Sequence, residues 1–73
     1  MDVNTMEKML YNSMIDRKKA IVQYCSGEIL KGWVQHCNPN TKPNTFILIV
    51  DNRFEHEIDL STTSTITITD ESF

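Results

Sequence analysis

The chain has 73 residues, of which 40% are hydrophobic and 23% charged, and its formal net charge is −3 at pH 7. At this length a domain buries only about 60% of its unfolded surface, so we expect one small domain over 1–73. Apolar runs of about 18 residues are lacking, as is the basic start of a signal peptide, so we expect a cytoplasmic protein without a membrane span.

The charges divide unevenly between the two halves of the chain. Residues 1–45 hold six Lys/Arg and four Asp/Glu, whereas residues 46–73 hold one Arg and six Asp/Glu. A surface that binds phosphate would therefore be built from the first half. The alternative is that both halves are ordinary solvated surface.

The first element is a helix predicted over about residues 5–18. Asn4 and Glu7 have the spacing of a capping box. One face carries apolar residues three and four positions apart: Met6, Met9, Leu10 and Met14. The last predicted turn holds three cations that suit the negative end of a helix dipole: Arg17, Lys18 and Lys19.

Five short strands are predicted within residues 20–69, most of them by a hydrophobic period that changes to two, and the third by five consecutive apolar residues typical of a strand buried on both faces or covered by a neighbour. The strand segments are AIVQYC, ILKGWVQHC, TFILIVD, FEHEIDL and TITIT. Turns are predicted at 26–28, at 51–53 and at STTS (61–64), and NPNTKPN (38–44) forms a longer loop. Gly32 inside the second strand predicts a sharp bend.

Alternation assigns faces to the side chains of these strands. Trp33 lies on the face opposite Leu30 and Val34, where it is either exposed or covered by the helix. The fourth strand has an inward and an acidic face, with Phe54, His56, Ile58 and Leu60 opposed to Glu55, Glu57 and Asp59. The last residues, DESF, are predicted to fray.

This order of elements resembles an Sm-like barrel over about residues 5–69. The residues that carry the resemblance are Val22, Tyr24 and Gly27, then Leu30, Gly32 and Val34, and the segments TFILIV and TTSTITI. The chain is similar to Hfq-type riboregulators and, in its second hairpin, to YolD-like proteins. The resemblance implies a mainly β fold: an N-terminal α-helix followed by a five-stranded, strongly bent Sm-like or SH3-like small barrel.

The resemblance also implies assembly into rings or other homo-oligomers through strand edges. It does not carry over the RNA site of the Hfq-type proteins. Those proteins have a Tyr-Lys-His triplet before the last strand, and the nearest positions here are Asp59, Leu60 and Ser61.

Catalysis and metal binding have weak support in the sequence. Cys25, His36, Cys37 and His56 lack the paired spacing of structural zinc sites. Cys37 and His56 could be drawn as a nucleophile and its base, yet there is no nucleophile turn and no glycine-rich loop. We therefore expect a protein that is not an enzyme, with no catalytic residue, metal or cofactor.

The favoured function is binding of a nucleotide or single-stranded nucleic acid, which requires stacking aromatic rings near cations. The candidate residues are Arg17, Lys18, Lys19, Tyr24, Lys31 and Trp33. The alternative is a phage-type inhibitor or adaptor that sequesters a host protein or a signalling nucleotide. Its partner would bind a sheet edge or the acidic residues Glu55, Glu57 and Asp59.

Overall fold

The computed structural model describes residues 1–36 and 46–72, apart from the side chains of His36 and Ser72. The predicted loop at 38–44 and Cys37 lie outside the described residues. Helix α1 (Val3–Asp16) is followed by strands β1 (Lys18–Tyr24), β2 (Ile29–His36), β3 (Phe46–Val50), β4 (Phe54–Ile58) and β5 (Thr63–Ser72). A 3₁₀ turn at Leu60–Thr62 precedes β5, as predicted for the STTS region. None of the helices in the described residues is long and apolar enough to span a bilayer.

The five strands form one antiparallel sheet in the order β4-β3-β2-β1-β5. This confirms a mainly β protein with an N-terminal helix. Within residues 1–36 and 46–72 no ladder joins β4 to β5, so the sheet is open at both edges and the predicted barrel is not closed.

Strand β2 changes its pairing partner at Gly32, where the sequence predicted a bend. Its first half, Ile29 to Gly32, pairs with β1, and its second half, Trp33 to His36, pairs with β3. The backbone of Ile49 lies directly against Gly32, because an added Cβ would contact its carbonyl oxygen and lie 2.7 Å from its carbonyl carbon. Glycine is required here by this close approach of two strands.

The predicted limits of the helix were wrong by two residues at each end. Asp2, not Asn4, is the N-cap, and its carboxylate accepts a hydrogen bond of 2.7 Å from the amide of Thr5. At the other end Arg17 adopts the left-handed conformation (φ 54°) that ends a helix, a position that glycine usually takes. Lys18 and Lys19 therefore belong to β1 and not to the last turn of the helix.

The core lies between one face of the sheet and α1. Its buried apolar side chains come from the helix, all strands and the 3₁₀ turn: Met6, Leu10, Ala20, Val22, Val34, Phe46, Leu48, Ile58, Leu60 and Ile66. Phe54 and His56 are exposed, against the prediction that they face inward with Ile58. They share the face of Ile58, but α1 packs mainly on β5, β2 and β1 and leaves this part of the edge strand uncovered.

The C-terminal residues that were predicted to fray continue β5 as far as Ser72. Lys18 pairs with Ser72 while Ala20 pairs with Ile68, so three residues of β5 lie opposite the single residue Lys19. This is a bulge, a device that redirects side chains and increases local twist. Phe73 lies outside the described residues.

Candidate functional site

The sheet has an outer face, formed by the strand side chains that alternate with those of the core. On this face Lys19 and Trp33 are neighbours, because Ala20 and Gly32 pair next to them. The ammonium of Lys19 lies 5.2 Å from the centroid of the Trp33 ring. This distance is within the range of a cation–π interaction. Lys31 is also on the outer face, because it lies two residues before Trp33 on β2.

A single carboxylate joins the two lysines. Glu71 Oε1 lies 2.8 Å from Lys31 Nζ, and Glu71 Oε2 lies 3.2 Å from Lys19 Nζ. The hydrogen bond from Lys31, followed by that from Lys19, lowers the pKa of Glu71. We call Lys19, Lys31 and Trp33 the cationic–aromatic cluster. Glu71 is the anion that this cluster holds in the structure.

The indole of Trp33 is oriented by the turn between β3 and β4. Trp33 Nε1 donates a hydrogen bond of 3.0 Å to Asn52 Oδ1. Asp51 and Asn52 both have positive φ values, 55° and 60°, and Arg53 N donates to Val50 O within the three-residue loop between the paired Val50 and Phe54. Trp33 is only partly buried and does not belong to the core. It is therefore partly accessible on the outer face and not covered by the helix.

The structure separates the other three predicted ligand-binding residues from this cluster. Arg17 is exposed at the end of the helix, and Lys18 has the strand parity of the core face. Tyr24 has the same parity, packs against the core, and has a pKa raised first by burial and then by Glu28. Of the six candidates, the outer face brings together Lys19, Lys31 and Trp33.

The acidic residues of β4 share the outer face with the cluster. Ile49 pairs with both Trp33 and Glu55, and Ile47 pairs with Glu57, so Glu55 and Glu57 lie on the outer face of β4, two strands away from Trp33. A row of side chains crosses the outer face from β5 to β4: Glu71, Lys19, Trp33, Ile49 and Glu55. The side with β1 and β5 can therefore hold an anion, and the side with β4 repels one.

Asp59, predicted as the third residue of the acidic strand, caps the 3₁₀ turn. Its Oδ1 accepts hydrogen bonds from Ser61 Oγ (2.6 Å) and Ser61 N (3.0 Å). These two bonds lower the pKa of Asp59. Asp59 is exposed like Glu55 and Glu57, but it lies after β4 and its carboxylate caps the 3₁₀ turn.

The residues considered for zinc or nucleophilic catalysis are not assembled in the described part of the chain. Cys25 is exposed in the turn after β1, and His56 is exposed on β4, with β2 and β3 between their strands. Among the described residues no three His, Cys, Asp or Glu side chains could share a metal ion. Residues 1–36 and 46–72 also enclose no cavity.

Sequence reasoning missed two residues of the site, Glu71 and Asn52. Glu71 was assigned to a frayed end, because the Thr-Ile alternation stops at Thr69 and the two acids that follow give no signal that the strand continues. Asn52 was recognised as a turn residue, but nothing in the sequence indicates that its side chain reaches the indole of Trp33.

With this geometry described, comparison with known proteins adds no family. No protein-family model matches the chain, and no curated protein or solved structure matches it at a significant level.

Proposed function

We propose that the protein is a non-enzymatic binding module that holds a nucleotide or single-stranded nucleic acid on the outer face of its sheet. The observation that carries this proposal is the placement of the Lys19 ammonium over Trp33, with Lys31 bound to the same carboxylate. Two cations and a partly accessible aromatic ring on one sheet face are the elements of sequence-tolerant nucleic-acid binding.

The roles of the three residues follow from their chemistry. The indole of Trp33 offers a flat surface for a base, and its hydrogen bond to Asn52 keeps the ring in one orientation. The ammonium groups of Lys19 and Lys31 would bind a phosphate beside that base. An open sheet face suits a strand that passes over it, and the acidic residues of β4 would direct the phosphates toward β1 and β5.

The proposal is tested with fluorescein-labelled decathymidylate and a labelled adenine nucleotide by fluorescence anisotropy at low salt. Lys19→Gln/Lys31→Gln should weaken binding on the order of tenfold or more, because two charge-assisted contacts are lost. Trp33→Leu should weaken it by about fivefold or more through lost stacking.

The single variant Lys19→Gln has a matched control, Lys18→Gln, which also removes one positive charge but from the neighbouring residue on the other face. Lys18→Gln should retain most of the affinity of the wild-type protein. Binding should also fall steeply with added salt, as expected when phosphates are neutralised by lysines. Equal losses in Lys18→Gln and in Lys19→Gln, or no binding by the wild type, would reject this site.

A second candidate function is capture of a protein strand, and the two open sheet edges favour it. Among the described residues, β4 and β5 each pair on one side only. Backbone groups along such an edge can add a strand from a partner, here a host protein. The same edges would also allow homo-oligomers under the first candidate, with β4 of one copy paired to β5 of the next so that the sheet continues from copy to copy.

Size-exclusion chromatography with light scattering and in-line absorbance separates the two candidates. An oligomer with excess absorbance at the nucleic-acid maximum would support the first. A monomer without excess absorbance would support the second candidate, provided that it binds a partner protein at high salt. That binding should be lost in Glu55→Lys/Glu57→Lys.

A further inference from the structure

Glu71 occupies the place that the proposed function gives to the phosphate of a ligand. Each of its carboxylate oxygens contacts a different lysine of the cationic–aromatic cluster, at 2.8 Å and 3.2 Å. A phosphate group presents its oxygens to ammonium groups in the same manner. The chain thus fills its own anion-binding position with an anion.

The bulge in β5 puts Glu71 in this place. Opposite Lys19 the strand contains three residues, 69–71, instead of one. Thr69 Oγ1 donates a 3.0 Å hydrogen bond to Lys19 O and accepts a 3.2 Å hydrogen bond from the amide of Glu71. The backbone next to Glu71 is therefore anchored to β1 beside the cluster, so that only the side chain has to move when the contact opens.

The contact is one that a ligand can displace. The side chain of Glu71 is 50% exposed, and those of Lys31 and Lys19 are 45% and 31% exposed. Ion pairs as accessible as these are weak because water competes for both partners. A ligand that supplies both a phosphate and a base for Trp33 makes more contacts than the carboxylate alone.

We propose that Glu71 is an intramolecular competitor that limits the affinity of the cationic–aromatic cluster for phosphate-bearing ligands. This inference rests on the proposed function. The carboxylate keeps both lysines in position without a ligand, and binding requires that it leaves. Anions whose affinity for the two lysines is too low to displace the Glu71 carboxylate therefore do not occupy the site.

The test compares Glu71→Gln with Asp70→Asn by anisotropy with the same labelled decathymidylate. Glutamine keeps the size of Glu71 and removes its charge, so affinity should rise on the order of threefold to tenfold. Asp70 is exposed, one residue away, and of equal charge, so Asp70→Asn controls for the change in net charge. It should raise affinity much less than Glu71→Gln.

A triple variant, Glu71→Gln with Lys19→Gln and Lys31→Gln, should lose the gain, because the competition requires the two lysines. Equal affinities of wild type and Glu71→Gln would overturn the competition while the proposed function stands. Equal gains in Glu71→Gln and Asp70→Asn would also overturn it, since a general charge effect would then explain both. Absence of binding by every variant would reject the proposed function and the competition together.

Discussion

Replacing Gly32 with alanine tests whether the two halves of the sheet meet where the structure places them. Gly32 has no positive φ, so alanine could adopt its backbone conformation. In an ordinary strand this change would stabilise the protein by about 0.4–1 kcal/mol, because the unfolded chain loses freedom. The structure predicts the opposite sign, since the new Cβ would meet the backbone of Ile49.

The size of the destabilisation depends on which atoms must move to make room for the new Cβ. The obstructing atoms are main-chain atoms of β3, 2.7 Å from the added Cβ for the carbonyl carbon and 3.2 Å for Val50 N. Ile49 is paired with Trp33 in the ladder and cannot rotate away. Overpacking of this kind costs about 2–3 kcal/mol. For a domain of this size that lowers Tm by about 10–20 °C.

The assay is thermal and urea unfolding followed by far-UV circular dichroism. Gly27→Ala is the matched control, because Gly27 has φ 96° and nothing within 4 Å of an added Cβ. It carries conformational strain without a clash, at a cost of about 1–2 kcal/mol. Gly32→Ala should therefore be the less stable of the two variants. An unchanged or raised Tm for Gly32→Ala would refute the close approach of β2 and β3.

Three further predictions concern the helix, the pH dependence and the sheet. Ser13→Ala should lower the unfolding free energy by about 1–2 kcal/mol in urea, because buried Ser13 Oγ donates to Lys18 O at 2.6 Å, whereas exposed Ser26→Ala should change little. Hydrogen bonds from Thr5 lower the pKa of Asp2, so the unfolded state binds more protons. Tm should therefore rise with pH through about pH 4 and level off above it, with a smaller rise in Asp2→Asn; an equal rise would contradict the cap. Amide hydrogen exchange should be slowest in β1 and β3, whose residues pair with strands on both sides, and faster in β4; protection of β4 equal to that of β3 would show that its edge is covered.

The strands were predictable because alternation and turn residues agree with each other. Gly27, the Asp51–Arg53 turn and the 3₁₀ turn separate the strand segments, whose apolar residues repeat every second position except in the continuous apolar run of β3. Gly32 was predictable as a bend because a glycine inside an apolar strand indicates close approach of another backbone. These are local signals, and local signals determine where the strands lie.

The missed features depend on tertiary contacts. Whether Phe54 and His56 are buried depends on which strands the helix covers, and alternation alone does not contain that information. The position of Glu71 depends on a bulge that forms only when β5 pairs with β1. The helix ends at Arg17 because this residue takes a left-handed conformation, for which a glycine would have been the recognisable signal.

Strand parity also explains why three of the six candidate residues lie together. Lys19, Lys31 and Trp33 have one strand parity, and the pairing of β1 with β2 brings them together. Arg17, Lys18 and Tyr24 were grouped with them by proximity in sequence and by residue type. Face assignment from the strand register would have removed Lys18 and Tyr24, but the register is fixed only once the strands pair.

The most direct test of the central claim is a chemical-shift titration of the isotope-labelled protein with unlabelled decathymidylate. We expect progressive shifts of the Trp33 indole N–H and of the amides of Lys19, Lys31 and Glu71, with little change in β4. Shifts confined to β4 would contradict the account and place the ligand on the sheet edge. A spectrum that does not change at low salt would show that the outer face does not bind nucleic acid.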